Sequence, residues 1–185
     1  MTLPISGPLA MESGLLRRAQ AGDAEAFERI LSVWERPILR VCMRILGNKQ
    51  DAEDASQEVL LKLHRNLRSM QETIGPWLYR VAVNECRDRM RSRRDETSID
   101  IELAVNAPGP EALAGVEQRK RIVLAGLLTL PEKERAAIVL REVEGLSTRE
   151  VAEILESSEQ TVRSQICSAR MKLNKFTDRA MRKPL

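Results

Sequence analysis

Apolar residues recur along this chain at three- and four-residue intervals, the period of helices with one buried face. Leu15, Leu16 and Ala19 begin the pattern, which pauses at Gly22-Asp23. Asp23 suits a helix N-cap, because its carboxylate can accept a backbone N–H of the first turn. Phe27, Ile30, Leu31 and Trp34 continue at helical spacing. Pro37 is expected to open a new segment carrying Ile38, Val41, Ile45 and Leu46, which Gly47-Asn48 ends. A helix over 51–67 follows, then a loop through Gln71 and Gly75-Pro76, then a long helix over 77–93.

Residues 95–110 lose the periodicity and contain Pro108-Gly109-Pro110, the composition of a linker. Helices resume near Glu111 and run to Leu128. Pro131 suits the first position of a helix that reaches about Val143, before Gly145. Two helices close the chain, over 148–155 and from Glu159 to about Phe176, with a basic tail beyond. The first ten residues, with Pro4, Gly7 and Pro8, read as a disordered or loosely docked leader. The expectation is an all-α protein of two small helical domains, 11–94 and 111–185, joined by a flexible acidic linker over 95–110. The second domain would be a helix-turn-helix (winged-helix-like) DNA-binding domain.

Composition agrees with helices. Aromatic residues are 3% of the 185 positions against 43% hydrophobic overall, so the cores must be aliphatic. The net charge of +3 hides a strong alternation. Arg80, Arg87, Arg89, Arg91, Arg93 and Arg94 crowd one helix, and Arg163, Arg170, Lys172, Lys175, Arg179, Arg182 and Lys183 crowd the last. Between them Asp95, Glu96, Asp100, Glu102, Glu111 and Glu117 meet no base. Either basic block alone could be a solvated face; the alternation points to two polyanion-binding surfaces on a tether.

Cys42, Cys86 and Cys167 are odd in number and far apart, which argues against a disulfide framework or a zinc site and for a reducing cytoplasm. They are expected as small core residues, with Cys167 open to an alkylation test. No secretory signal or membrane-span pattern is present, so a cytoplasmic location is expected. His64 is the single histidine, and there is no P-loop or catalytic carboxylate pair. The chain is expected to be no enzyme and to use no cofactor or metal.

Ser147-Thr148-Arg149-Glu150 is a capping box, followed after a four-residue gap by Ser158, a natural second N-cap. This is the helix-turn-helix layout. On the second helix Val162, Ile166, Ala169 and Leu173 form one narrow apolar stripe. Opposite lie Gln160, Thr161, Ser164, Ser168 and Met171, small or amide-bearing groups able to read base edges. Arg163 and Arg170 flank one side and Gln165 and Lys172 the other, where phosphates would run beside a helix in the major groove. A surface helix packed on protein could also look polar.

On the 51–65 helix, Asp51, Asp54, Gln57 and Glu58 gather outward with Leu61 among them. Phosphate would be repelled there, whereas a basic protein surface would be attracted. A plain solvated acidic face is the competing reading. The next helix offers Trp77, Tyr79 and Asn84 as stacking and edge-reading groups, with Arg80, Arg87, Arg91 and Arg94 for the backbone of a partly single-stranded nucleic acid. Trp77 could equally be core with one exposed edge.

Asp51-Ala52-Glu53-Asp54-Ala55-Ser56-Gln57-Glu58-Val59, Pro76-Trp77-Leu78-Tyr79-Arg80-Val81-Ala82-Val83-Asn84 and Leu130-Pro131-Glu132-Lys133-Glu134-Arg135 resemble the extracytoplasmic-function (ECF, group IV) sigma factors of the sigma-70 family. So do Glu144-Gly145-Leu146-Ser147-Thr148-Arg149-Glu150-Val151-Ala152 and Thr161-Val162-Arg163-Ser164, in the same order. The resemblance implies that Asp51, Asp54, Gln57, Glu58 and Leu61 dock on the β′ clamp helices of core RNA polymerase. The 77–94 helix would melt and hold the −10 promoter element, with Asn84 near a flipped base. Ser158 and the last helix would read the −35 element, with that domain at the β flap. The acidic linker would occupy a channel that later carries RNA. An anti-sigma factor is implied as a partner, and a monomer when free. The loop 69–75 is shorter than the commonest family version and lacks its usual phenylalanine, so no flipped-base preference transfers. Glu156 stands where the family often has glycine, and Gln165 and Ser168 stand where it often has arginine. The competing reading is a helix-turn-helix regulator that acts without being a polymerase subunit.

Overall fold

The computed structural model describes residues 8–71, 73–96 and 114–182, and these contain helices and turns but no strand. The first module opens with α1 (Pro8–Gln20), so Pro8, Leu9 and Ala10 belong to a helix rather than to the expected leader. Proline is tolerated there because a first-turn N–H has no helical partner to lose. Residues 1–7 lie outside the described chain. The α1 helix ends where Gly22 takes φ 96° and the Asp23 N–H donates back to the Arg18 carbonyl at 3.1 Å.

Helix α2 (Ala24–Leu46) is capped by Asp23, whose carboxylate accepts the Ala26 N–H at 3.0 Å. It runs straight through Pro37, against the expected break. Ile30, Trp34, Ile38, Val41 and Ile45 stay in phase as one buried stripe on both sides of the proline. Burying each stabilises by roughly 1.5–3 kcal/mol, which together outweighs the roughly 3 kcal/mol cost of an internal proline. Gly47 then ends the helix at φ 72°, as its sequence position predicts.

Asn48 caps α3 (Lys49–Asn66) by accepting the Asp51 N–H at 3.2 Å. After a 3-10 turn over Leu67–Ser69, α4 (Ile74–Glu96) begins earlier than the expected Trp77. Gly75 and Pro76 fit its first turn, and the Trp34 ring lies directly over Gly75.

The expected linker residues 97–110 lie outside the described chain. The second module contains α5 (Ala114–Leu128) and α6 (Glu132–Ile138), which Val139–Val143 prolongs as a widened π turn. Then come α7 (Thr148–Ile154) and α8 (Glu159–Arg182). The last helix outruns its expected end at Phe176. At that expected end Leu173 and Phe176 pack against Gly126 of α5, where a Cβ would stand 3.0 Å from each.

The modules are packed together. Apolar contacts continue from α2 and α4 into α5, α6 and α7 as one core. No helix among the described residues is long and apolar enough to cross a membrane.

Candidate nucleic-acid and docking interfaces

The helix-turn-helix is built from its caps inward. Ser147 Oγ accepts the Glu150 N–H at 3.2 Å while the Glu150 carboxylate accepts the Ser147 N–H at 2.7 Å, so the expected capping box is formed. The turn after α7 closes with Ser157 N–H donating to the Ala152 carbonyl at 2.9 Å. This forces Glu156 to φ 50°, the left-handed conformation that favours glycine. Ser158 Oγ accepts the Thr161 N–H at 3.1 Å and starts α8.

Val162, Ile166 and Ala169 of α8 are buried, which turns the opposite face outward. Gln160, Thr161, Arg163, Ser164, Arg170, Met171 and Lys172 are exposed on it. Gln165 and Ser168 are half-buried instead, and Ser168 Oγ donates to Glu134 at 3.1 Å. Cys167 is exposed near the middle of this face, 100° per residue from its neighbours. Sequence reasoning treated cysteine as core by type; the wheel position was the signal that would have placed it. The other two cysteines are buried, and hydrogen bonding to Cys42, then burial, pushes the Cys86 thiol up and makes it a poor nucleophile.

Three cations of this helix each hold a carboxylate. Arg163 pairs with Glu159 at 2.7 Å, Arg170 with Glu142, and Lys172 with Glu134 at 2.7 Å. These side chains are 61%, 58% and 47% exposed, so water screens the pairs and they are weak enough to exchange for phosphate.

Helix α4 divides its expected residues. Asn84 and Arg91 are exposed, Trp77 and Arg80 are half-buried, and Arg94 lies in the helix with its side chain outside the description. Arg87 Nε donates to Glu132 at 2.5 Å. Tyr79 is not available for stacking on bases. It is 6% exposed, meets Trp34 edge-on at 5.6 Å, and its hydroxyl donates to Glu144 at 3.0 Å. Its position one turn from Trp34's packing partner Gly75 draws the ring inward.

On α3 the acidic face forms as expected. Asp54 and Gln57 are exposed, Asp51 and Glu58 half-buried, and Leu61 is 49% exposed among them. Glu58 is paired with Arg65 at 3.3 Å. His64 lies beside this face against the Phe27 ring, 5.3 Å between centroids. Among the described residues no cluster of His, Cys, Asp and Glu could hold a metal.

Comparison with known proteins gives this geometry its context. Residues 31–96 match Sigma-70 region 2 and residues 120–173 match Sigma-70, region 4. The chain is 31% identical over 174 residues to ECF RNA polymerase sigma factor SigW of Bacillus subtilis (strain 168), covering 86% of this chain and 93% of that one. It is 34% identical over 170 residues to the ECF RNA polymerase sigma-E factor of Escherichia coli (strain K12), covering 84% and 88%. In fold it is similar to CnrH in the complex of CnrH with the cytosolic domain of CnrY, at TM-score 0.70 and 23% identity over 90% of this chain and 97% of that one. It is also similar to the sigma factor RpoE of Bartonella quintana, solved with the anti-sigma factor NepR, at TM-score 0.69 and 23% identity over 84% and 98%. With two collinear matches and relatives aligned over most of their length, the chain belongs to the ECF RNA polymerase sigma factors of the sigma-70 family.

Proposed function

We propose that this chain divides the work of promoter-directed initiation among three surfaces. The α3 face of Asp51, Asp54, Gln57, Glu58 and Leu61 docks on the β′ clamp helices of core polymerase. Trp77, Arg80, Asn84, Arg87, Arg91 and Arg94 of α4 engage and melt the −10 element. Gln160, Thr161, Arg163, Ser164, Arg170 and Lys172 of α8 read the −35 element, with Ser158, Gln165 and Ser168 at its margin and the module against the β flap. The observation that carries this division is the opposite character of the exposed faces: acids around an apolar Leu61 on α3, and small polar groups rimmed by cations on α8. Phosphate is repelled by the first and attracted by the second.

The chain acts in the cytoplasm as a group IV factor, a monomer when free, without a cofactor or catalytic activity of its own, and an anti-sigma factor holds it inactive. Transcription with purified core polymerase across a genomic fragment library tests the reading. Start sites that depend on the added chain are expected. Asp54→Arg should abolish core binding while leaving helical content and melting unchanged; an affinity equal to wild type would show that α3 is not the docking face.

A further inference from the structure

The cations of α8 that face DNA in the reading above are each tied to an acid. Arg163 Nη2 donates to Glu159, in the first turn of the same helix, at 2.7 Å. Arg170 Nη2 donates to Glu142 of the π turn. Lys172 Nζ donates to both carboxylate oxygens of Glu134 in α6, at 2.7 and 2.9 Å. The acids therefore stand at the leading end of the reading face and on each of its flanks. Three cations meet three carboxylates, so this half of α8 is close to neutral although the helix as a whole is basic. The excess of positive charge begins only at Lys175, about 24 Å from Glu159 along the axis.

The acids are also well placed. The Glu134 side chain is 16% exposed and accepts Ser168 Oγ at 3.1 Å as well as Lys172. Glu142 is carried by the π turn, whose Val139 and Leu140 are buried. Glu159 precedes Arg163 by four residues, the favourable order for a pair on a helix. Each arginine spends one of its five N–H groups on its acid, so the guanidinium is oriented yet keeps donors for DNA.

Binding to duplex DNA without regard to sequence comes from phosphate attraction, and a neutral face offers little of it. A phosphate that pulls a cation away leaves a bare carboxylate against the DNA, and that cost falls on every sequence. On a matching element, base-edge contacts from Gln160, Thr161 and Ser164 add to donors already aimed. We propose that Glu134, Glu142 and Glu159 are positioning residues for promoter discrimination. They cancel the sequence-blind pull of α8 and hold its cations in place, so that the −35 element is selected by its bases. The inference rests on the reading of α8 as the −35 reader. The acids act through Lys172, Arg170 and Arg163 and touch no base themselves.

The test uses the full chain with core polymerase, as wild type and with Glu134→Gln, Glu142→Gln and Glu159→Gln combined. Glutamine keeps the length and an accepting oxygen and removes the charge. Single-round initiation is measured from a promoter that depends on the added chain, against increasing non-promoter duplex. The triple variant should be drawn away by about tenfold less competitor, since one exposed pair changes an equilibrium by up to about fivefold. Its initiation should fall more steeply with salt, by up to about 1 in slope for each acid removed. Across a library of single-base changes in the −35 element, the penalties seen with wild type should shrink severalfold. Unchanged melting by circular dichroism separates these effects from loss of fold. Glu159→Gln alone, at the most exposed of the three pairs, should move the same readouts in the same direction by less. Equal competitor sensitivity, or stronger competition with base penalties as large as in wild type, overturns the proposal. A wild type that directs no initiation refutes the sigma-factor reading instead, and one indifferent to every −35 change refutes α8 as the reader. In either case, fluorescence anisotropy of the full chain on non-promoter duplex still judges the charge cancellation.

Discussion

Gly75→Ala sets two physical effects against each other, and the structure decides the sign. Gly75 lies in the first turn of α4 without a positive φ, so helix propensity alone favours alanine by roughly 0.5–1 kcal/mol. A Cβ there would stand 2.7 Å from Trp34 Cη2 and 3.1 Å from Cζ2. Carbon atoms pack comfortably at roughly 3.5–4.0 Å, so the indole would have to withdraw by most of an ångström. Trp34 is 6% exposed and holds Tyr79 edge-on, which leaves little room for that movement. Overpacking of this kind costs about 1–3 kcal/mol, so the net loss should be about 1–2 kcal/mol. For a chain of this size the melting temperature should fall by roughly 2–8 °C. Urea denaturation and thermal melting followed by helical circular dichroism measure the loss, and the near-ultraviolet spectrum reports the Trp34–Tyr79 pair. Adding Trp34→Phe should relieve part of the strain, because the smaller ring ends short of the contact. A Gly75→Ala protein as stable as wild type, or more so, would refute the steric reasoning.

Glu156→Gly should stabilise the chain by about 0.5–1 kcal/mol in urea denaturation, because φ 50° is strained for glutamate and free for glycine; lower stability would contradict the strain. Hydrogen bonding from the Ala26 N–H, then from Arg18, depresses the Asp23 carboxyl below its usual value of 3.8. Its contribution is therefore present above pH 3.8 and lost as pH falls through the depressed value. Asp23→Asn keeps a good cap but should melt with a smaller acid dependence in that window, and identical acid profiles would count against the assignment. Arg163→Ala should weaken promoter binding, leave core association intact, and reduce the salt-dependence slope by about 1; equal loss of both activities would contradict the division of surfaces.

Local rules account for much of what is observed. A cap depends on a side chain and amides within three residues, so Asp23 and the Ser147–Glu150 box follow from neighbours in sequence. A helical wheel depends on a fixed rotation per residue, so the buried Val162, Ile166 and Ala169 and the acidic α3 face were legible without a partner. Pro37 was misread because a proline's cost is local while its compensation, the buried stripe from Ile30 to Ile45, is summed along a whole helix.

Tertiary structure settled what local rules leave open. Tyr79 carries the same ring whether it stacks on bases or lies inward; the nearness of Trp34 and of the Glu144 carboxylate put it inside. The seat of Leu173 and Phe176 over Gly126 exists only because α5 and α8 cross there. The Arg40 guanidinium donates to Glu144, 104 residues away, and no period or motif joins them. The order of residues thus determined helices, caps and the charge of each face, since those depend on short covalent distances. Packing decided which polar groups meet across the modules, because the free energy of a buried charge depends on donors that only the folded chain assembles.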